Sequence, residues 1–421
     1  MSTKIAIIGG GAAGMMATAR IKELLPQAQV VLFEKNENLG RKVMLTGGGR
    51  CNVTTGLSDV RVILKRYVRG GKFLTSAMWN FPPTAVCEWF AEHGVLLKTE
   101  HDQRVFPKSN NGAEIVGVFE KLFVQTEVDV RCNTSVKSIA KENADTNGFV
   151  IETGGKKENF SAVILTTGGQ AYRHTGSTGD GYAFAEALGH KITPLAASLN
   201  SFVLAEKWIH ELPGVSFKDI KITVVKNKKN TARGPLVCTH TGISGPAVFA
   251  LSAQVAFAEY SKEHPLAVYL DWLPDESAQA IREKINTACC QYPKKPLGRL
   301  LQAWLPKSLV EKLLKANDIK EQIFLAEVNK QIRSKIIQQL KCSLVHLIGR
   351  GAGSEFVTAG GVDTNEIDPR TMQSRLVPGL FLAGEILNVD GVTGGFNLQS
   401  AWTTGYLAGE SVCESVIDQY Q

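Results

Sequence analysis

A glycine-rich turn near the start of the chain has the residue types and spacing that bind a dinucleotide. Gly9, Gly11 and Gly14 form the pattern Gly-x-Gly-x-x-Gly, and Glu34 lies twenty residues beyond Gly14. The first glycine permits a tight turn, the second lets the backbone approach a pyrophosphate, and the third lets a helix pack closely on a strand. The Glu34 carboxylate can bind ribose hydroxyls. The alternative is a glycine turn that serves packing alone.

The elements expected around this turn favour dinucleotide binding. The apolar run Lys4–Ile8 predicts a buried strand, Met15–Leu25 predicts a helix, and Val30–Phe33 predicts a second strand that ends at Glu34. These elements form a βαβ unit within about 35 residues. A later strand, expected over Phe160–Thr166, also runs into glycines.

A second cluster of glycines lies in the segment Thr46–Asn52. Its three consecutive glycines allow the backbone to press against a planar ring, and Arg50 and Asn52 offer hydrogen-bond donors. Arg41 and Lys42, just upstream, can neutralise a phosphate. The alternative is an ordinary surface loop, which has little use for three glycines beside Arg, Cys and Asn.

The end of the chain distinguishes FAD from NAD. A buried strand is expected over Leu380–Glu385, and in an FAD domain such a late strand brings a carboxylate to the ribityl chain. Gly394 and Gly395 precede the last helix, expected over Phe396–Glu410. Its N-terminal N–H groups would lie near the flavin edge where negative charge develops on reduction. An NAD domain does not need this distant second half, so the sequence favours FAD.

The middle of the chain has a different character. After His190 no glycine cluster of the first kind occurs, and short strand-like segments precede helix-like ones such as Ile323–Leu340. We therefore predict an α/β fold: a Rossmann-like FAD-binding domain of the glutathione-reductase type, split in sequence, with an inserted domain of mixed strands and helices. The predicted boundaries are 1–190 for the first part of the FAD-binding domain, 191–354 for the inserted substrate or cap domain, and 355–421 for the second part.

Several motifs occur in a fixed order along nearly the whole chain: Ile7–Gly14, Gly40–Lys42, Thr46–Asn52, Arg104–Pro107, Gly176–Gly181, His240–Pro246 and Gly391–Gln399. Their combination resembles the BaiN/RdsA-type (YhiN-like) NAD(P)/FAD-dependent oxidoreductase family. The resemblance implies that the split domain holds FAD and that the inserted domain covers the flavin. Bile-acid reduction and aminoacetone oxidation are associated with this family. Arg173-His174 and Asn388 depart from its pattern, since members often carry Pro and Asp there.

These arguments together assign a cofactor site. Val136 is expected to reach adenine through its backbone. We expect the FAD to be non-covalent, NAD(P)H to dock transiently as a reductant, and no metal to bind. The residues expected to bind FAD are Gly9, Gly11, Ala12, Ala13, Gly14, Glu34, Lys35, Arg41, Lys42, Thr46, Gly47, Gly48, Gly49, Arg50, Cys51, Asn52, Val136, Thr167, Gly168, Gly169, Gly384, Glu385, Gly394, Gly395, Phe396, Asn397, Leu398 and Gln399.

Three residues are candidates for catalysis: His240, Arg104 and His174. His240 lies in a loop bounded by glycine and proline, where it can protonate a substrate or hold a carbonyl. Arg104 can clamp a carboxylate with two parallel hydrogen bonds. For each of the three, a purely structural role is the alternative. Cys51 lies close to the expected flavin, and we favour a packed thiol there over a redox-active one.

Composition excludes several classes of protein. Hydrophobic residues make up 44% and charged residues 21% of the 421 residues, which is typical of a globular protein and not of a disordered one. No apolar run reaches the roughly 18 residues of a membrane span, and no signal peptide is evident, so we expect no membrane association and a cytoplasmic location. The eight cysteines form no C-x-x-C pair, which argues against a dithiol reductase and a structural zinc site.

The formal charge is +7, with local clusters at Lys226, Lys228 and Lys229 and at Lys294 and Lys295. We favour solvated surface for these clusters over sites that attract nucleotides or RNA. The sequence therefore predicts an FAD-dependent oxidoreductase that transfers hydride between flavin and a small organic substrate. The alternatives are a flavoprotein that binds or modifies RNA, and a flavin-binding protein without turnover.

Overall fold

The structure is a computed structural model that describes residues 3–142, 148–320, 322–353 and 355–418. It divides into two compact units. The first comprises Met1–Ser198 and Phe356–Gln421, and the second comprises Leu199–Glu355. Each unit has its own cluster of buried apolar side chains. We call them the split unit and the inserted unit.

The strands of the described residues are, in chain order, β1 Lys4–Ile8, β2 Gln29–Phe33, β3 Thr54–Thr55, β4 Tyr67–Arg69, β5 Leu97–Thr99, β6 Arg104–Pro107, β7 Asp129–Arg131, β8 Val136–Lys141, β9 Phe149–Thr153, β10 Lys156–Phe160, β11 Ala162–Leu165, β12 Ala196–Ser198, β13 Phe202–Leu204, β14 Ser216–Val224, β15 Thr231–Cys238, β16 Gly242–Ser244, β17 Leu266–Asp271, β18 Ser343–Arg350, β19 Val357–Ala359, β20 Leu380–Leu382 and β21 Asp390–Gly391.

The α-helices of the described residues are α1 Ala12–Leu24, α2 Arg41–Leu45, α3 Val60–Leu64, α4 Thr75–Asn80, α5 Pro83–Glu92, α6 Gly112–Gln125, α7 Asp180–Ala187, α8 Lys207–His210, α9 Pro246–Gln254, α10 Ala278–Gln291, α11 Leu297–Leu301, α12 Lys307–Ala316, α13 Lys330–Lys341 and α14 Phe396–Asp418. Single 3-10 turns occur at Arg173–Thr175, Leu325–Glu327 and Thr364–Glu366.

The split unit is built on a parallel sheet in the order β20-β11-β1-β2-β7. Its central strands read as continuous apolar runs because they are buried on both faces; Ile5, Ile7 and Val163 have no exposed surface. Helices α1 and α14 pack together closely, since a Cβ at Gly405 would lie 2.3 Å from the Ala13 carbonyl oxygen. The sheet therefore joins the two ends of the chain in one layer and confirms the predicted fold class.

The sheet also brings three loops to one edge. The carboxyl ends of β1, β11 and β20 lead into Gly9, Thr166 and Ala383 respectively. Ligands of such open parallel sheets bind outside the carboxyl ends of the strands. Smaller antiparallel pairings complete the unit: β10-β9-β8, β3-β6-β5, β21-β4 and β12-β19.

The inserted unit is a closed barrel with strand order β13-β16-β15-β14-β17-β18. All its strand pairings are antiparallel. Helices α8 to α13 belong to the same unit. Mixed strands and helices were predicted here, whereas closure of the barrel was not. The glycines after Ile348 imitate a second nucleotide motif in the sequence, yet Gly349 lies in β18 of this antiparallel barrel rather than after a strand of a βαβ unit.

Two further differences concern element boundaries. The pattern over Ala77–His93 predicts one helix, but α4 and α5 are separated at Phe81, whose backbone leaves the helical region just before Pro82. A proline removes a backbone donor and biases the preceding residue away from helix, which explains the break. The helix predicted over Ile323–Leu340 is shorter, because Asn329 caps α13 through its side chain and only a 3-10 turn precedes it.

Candidate functional site

The glycine turn after β1 has the geometry that its spacing predicts. Gly9 has φ +110°, and a Cβ there would lie 2.7 Å from the Thr166 carbonyl oxygen. A Cβ at Gly14 would lie 2.0 Å from the Gly9 carbonyl oxygen. Both glycines are therefore required by the chain's own packing. Ala12 and Ala13 follow in the first turn of α1 and are buried.

Gly11 is different, because nothing in the protein requires a glycine there. It is the N-cap of α1 with φ −81°, which any residue adopts, and it has no side-chain cap. A Cβ at this position would meet no protein atom within 4 Å. The 13-residue helix presents its unpaired N–H groups and the positive end of its dipole at this point. Glycine at this position leaves room for close approach of a ligand phosphate, as the sequence predicts.

Glu34 is fixed at the carboxyl end of β2, beside the turn. Its side chain is buried, and it accepts hydrogen bonds from Gly10 N–H at 2.9 Å and Asn36 N–H at 2.8 Å. The Asn36 side chain also donates to it at 2.6 Å. These donors hold the carboxyl group in one orientation next to the helix N-terminus. Asn36 was not among the predicted site residues, although its position two residues after the acid is a usable signal.

The segment Thr46–Asn52 is a tight turn that follows α2. Gly47, Gly48 and Gly49 have φ of +61°, +72° and +89°, in the left-handed region that favours glycine. A Cβ at Gly47 would lie 2.6 Å from the Phe106 ring, whereas at Gly48 and Gly49 it would meet nothing within 4 Å. Two of the three glycines thus present a bare backbone that the protein itself does not cover.

The polar side chains of this turn are held by neighbours. The Arg50 guanidinium lies 3.8 Å from the centroid of the Phe106 ring, and Nη1 donates to Glu100 at 2.7 Å. With its amide nitrogen turned toward the Thr54 carbonyl, Asn52 accepts a hydrogen bond from Gly395 N–H at 2.9 Å. The turn is therefore tied to the start of α14, which lies more than 340 residues later in the sequence.

Cys51 is a packed thiol in this turn. It has no exposed surface, and its backbone adopts φ +60°. Burial raises the pKa of the Cys51 thiol to about 12, so the thiolate is not formed at neutral pH. The geometry therefore favours the structural role over the redox one.

The late strand places Glu385 opposite α2. Its carboxylate accepts from Lys42 Nζ at 2.7 Å and from Thr358 N–H at 2.9 Å. Lys42, which the sequence assigns to a phosphate, is thus an ion-pair partner of the acid expected at the ribityl chain. Arg41 remains exposed, with its Nη1 3.4 Å from the Asn36 side-chain oxygen.

Thr358 is a polar residue of the site that sequence reasoning missed. Its hydroxyl accepts hydrogen bonds from Gln170 N–H at 2.8 Å and Ala171 N–H at 3.1 Å. Through these contacts it joins the end of the Gly168-Gly169 loop to Glu385. The available signal was its place two residues before Gly360, in a segment where glycines return.

The start of α14 uses its side chains for packing. The Asn397 amide makes two hydrogen bonds to the Gly391 backbone, both 2.9 Å, and the buried Gln399 amide donates to the Phe81 carbonyl at 3.1 Å. A Cβ at Gly395 would lie 2.2 Å from the Thr54 carbonyl oxygen. These side chains therefore position the start of the helix. Only backbone N–H groups of this segment are then expected to contact a ligand. Phe396 is buried, and Gly394 and Leu398 are partly exposed.

The remaining predicted cofactor residues lie in the same unit. Lys35 pairs with Asp180, and Val136 is partly exposed at the start of β8. Gly168 has φ +73°, and Gly384 has φ +82°. The Thr167 hydroxyl is buried and has no hydrogen-bond partner among the described residues.

Of the three catalytic candidates, Arg104 and His174 belong to the split unit and His240 belongs to the inserted unit. The Arg104 guanidinium already hydrogen-bonds two nearby acids: Nε donates to Asp102 at 2.7 Å, and Nη2 donates to Glu100 at 3.2 Å. His174 is exposed, with its ring 5.4 Å from that of Tyr172. His240 is exposed in the turn between β15 and β16 of the inserted unit. Free carboxylate binding by Arg104 would require it to leave two acids, which weakens that assignment.

Taken residue by residue, this geometry fits FAD. Gly11 offers the approach that a pyrophosphate needs, Glu34 offers a fixed acceptor for ribose, and Gly48 offers uncovered backbone for a planar ring. These features lie on the split unit alone.

The comparison with known families agrees with this site. The family described as HI0933-like protein Rossmann domain matches residues 3–411. The chain belongs to this family. Membership confirms the resemblance drawn from the motifs. The protein is therefore an FAD-dependent oxidoreductase.

Similar proteins of known function cover nearly the full length. The chain is 31% identical over 414 residues to a 3-dehydro-bile acid delta(4,6)-reductase of Clostridium scindens, covering 98% of this chain and 99% of that protein. It is 30% identical over 409 residues to a ribosomal RNA dihydrouridine synthase of Escherichia coli, covering 96% and 97%.

Solved structures show the same fold. A flavocytochrome c3 fumarate reductase matches with a TM-score of 0.52 and 16% identity, covering 99% of this chain and 79% of that one. A 3-ketosteroid delta1-dehydrogenase of Sterolibacterium denitrificans matches with a TM-score of 0.53 and 14% identity, covering 98% and 100%. At such identities the likeness concerns the fold alone. Within the described residues, none of the helices combines the length and the apolar character that crossing a membrane needs.

Proposed function

We propose that this protein reduces a carbon–carbon double bond conjugated with a carbonyl group in a small organic molecule. The observation that carries the proposal is what two relatives have in common. One is named for reducing a 3-dehydro bile acid with double bonds at positions 4 and 6, and the other for forming dihydrouridine. Both names describe saturation of a ring double bond that lies in conjugation with a carbonyl.

The chemistry of this reaction is divided between cofactor and protein. FAD, when bound and already reduced, would supply the hydride. Gly11 and the start of α1 hold the pyrophosphate, Glu34 holds the ribose, and Thr46–Asn52 shapes the backbone beside the ring. Reduction of a conjugated double bond also needs a proton and a donor toward the carbonyl oxygen. His240 is the candidate that this chain offers for that step. NAD(P)H is proposed as the transient reductant.

The proposal is tested by matched pairs of acceptors. The purified protein, fully loaded with FAD, is reduced under anaerobic conditions, and reoxidation of the flavin is followed in a stopped-flow instrument. We expect enones, including a 3-oxo-4-ene steroid, to reoxidise the flavin much faster than the same ketones without the double bond. Equal rates for the two members of every pair would reject reduction of conjugated double bonds.

A uridine in RNA is the second candidate substrate, and charge is the observation that favours it. The inserted unit, Leu199–Glu355, carries 22 Lys and Arg against 14 Asp and Glu, a net charge of +8. The rest of the chain carries 25 against 26, a net charge of −1. The positive charge therefore belongs to one unit, which suits a polyanionic partner better than an even distribution would. Reoxidation by uridine-containing oligonucleotides but not by free uridine would favour this candidate.

A further inference from the structure

A surface groove of about 400 Å³ lies on the inserted unit, along α10 and the turn that follows it. Its lining includes Tyr292, Lys284 and Lys295. Tyr292 is a large aromatic residue that remains 58% exposed. The ammonium nitrogen of Lys295 lies 5.9 Å from the centroid of the Tyr292 ring. An exposed ring thus lies beside a cation, in the unit that carries the positive charge of the chain.

The backbone of this turn is fixed, although its side chains are exposed. Lys295 N–H donates to the Tyr292 carbonyl at 2.9 Å, and Leu325 N–H donates to the Lys295 carbonyl at 2.9 Å. Ala326 N–H donates to the Pro293 carbonyl at 3.0 Å. The ring and the ammonium group therefore project from a rigid base, and binding does not have to order the chain at this point.

Two lysines of the turn are available to a partner. Lys294 and Lys295 are exposed, and among the described residues neither forms an ion pair. Of the two other charged residues that line the groove, one is ion-paired and one is not. Lys284 pairs with Glu276, and Glu283 accepts a hydrogen bond from Gln279 at 2.7 Å. Glu283 forms no ion pair among the described residues, so the unpaired charges beside the exposed ring are two ammonium groups, Lys294 and Lys295, against one carboxylate, a net charge of +1.

We propose that this groove binds a single-stranded polynucleotide, with one base stacked on Tyr292 and its phosphates on Lys294 and Lys295. Such strands are bound by aromatic side chains on which bases stack, combined with cations that follow the backbone. An exposed ring alone would favour an apolar partner, and exposed cations alone would favour any polyanion. The two together favour a ligand that has both bases and phosphates. This binding does not rest on the proposed reduction of double bonds, because it needs no turnover.

The proposal is tested by fluorescence anisotropy with labelled RNA and DNA strands of about ten nucleotides and identical sequence, added to the full FAD-loaded chain. We expect Tyr292→Ala to weaken binding about tenfold, and Tyr292→Phe to bind as the wild type does, because stacking needs the ring and not the hydroxyl. The double variant Lys294→Ala/Lys295→Ala should lower the slope of log affinity against log salt by about 1.4. Tighter binding of RNA or of DNA identifies which of the two the groove takes.

The matched control removes the same charge elsewhere on the unit. Lys228 and Lys229 are exposed in the turn between β14 and β15, and Lys228→Ala/Lys229→Ala should leave affinity within about twofold. Equal weakening by both double variants, or an unchanged affinity of Tyr292→Ala, would show that the strand is held by diffuse electrostatic attraction. Either result would overturn the proposed binding at the groove. Tyr292-dependent binding to anionic phosphatidylglycerol vesicles without binding to either strand would also overturn it. FAD content and melting temperature show that each variant is folded.

Discussion

The Cys51 thiol illustrates how burial decides chemistry at the scale of one residue. It lies in the turn assigned to the flavin, where a thiolate could exchange electrons, but its pKa is raised to about 12 by burial. We expect Cys51→Ala to change the rate of flavin reduction by less than about twofold and to cost about 1 kcal/mol of stability for the lost packing. Stopped-flow reduction and denaturant unfolding measure the two effects.

Thiol labelling gives an independent check on Cys51. Cys290 and Cys342 are exposed, so they should react first with an alkylating reagent, while Cys51 reacts only on unfolding. Rapid labelling of Cys51 in the folded protein, or a large loss of flavin reduction in Cys51→Ala, would restore the redox role.

His240 offers a sharper test, because the turn that carries it is well defined. Thr239 N–H donates to the Gly242 carbonyl at 2.8 Å, and Gly242 N–H donates to the Thr239 hydroxyl at 3.1 Å. We expect His240→Ala to keep its FAD but to slow substrate-dependent flavin oxidation by roughly 10²–10⁴-fold, the range of lost acid–base catalysis. His264→Ala, another exposed histidine of the same unit, is the control. A change below about threefold in His240→Ala would leave it a structural role only.

At the scale of elements, an ion-pair network joins three strands of the split unit. Glu158 on β10 pairs with Lys4 of β1 at 2.9 Å and with Arg131 of β7. These partners lower the pKa of Glu158 to about 2. Because its folded pKa lies below the unfolded value, the carboxylate stabilises the fold above the unfolded pKa, and this stabilisation is lost as pH falls toward about 2.

Substitution of Glu158 should therefore have a pH-dependent cost. We expect Glu158→Gln to lower the free energy of unfolding by about 1 kcal/mol at neutral pH, since the pairs are partly exposed. The difference from wild type should shrink as the pH falls below the unfolded pKa. Urea unfolding at several pH values measures it, with Glu37→Gln as the exposed control. A difference that is constant down to acid pH would contradict a role for this charge.

The elements near the glycine motifs were predictable, because their signals are local. An apolar run such as Lys4–Ile8 followed by Gly9 predicts both the strand and the residue where it ends. The barrel was not predictable in the same way. β14 spans Ser216–Val224, yet its register shifts between Phe217 and Ile220, so the alternation of apolar and polar residues is interrupted. Strands of three residues, such as β13 and β16, give almost no periodicity.

At the scale of the whole molecule, the backbone geometry of the glycine turns was predictable and the pairing of the polar side chains beside them was not. Glycine spacing revealed the turn at Gly11, because close backbone approach restricts residue type. The ion pair of Lys42 with Glu385 joins residues 343 positions apart, so no local sequence pattern predicts it. The same holds for the charge of the inserted unit, which becomes evident only once the unit's boundaries are known. The family match then adds the cofactor, FAD, to the geometry.

The assignment of the pyrophosphate to Gly11 is tested most directly by the FAD content of purified Gly11→Val. Since a Cβ at Gly11 meets no protein atom within 4 Å, the apo protein should still fold, with a loss of no more than about 1 kcal/mol because valine is a poorer N-cap than glycine, while FAD affinity falls by at least about tenfold. Gly117→Val is the matched control, because a Cβ there also meets nothing within 4 Å, in α6. Released FAD is quantified by chromatography. Full FAD occupancy in Gly11→Val would contradict the assignment.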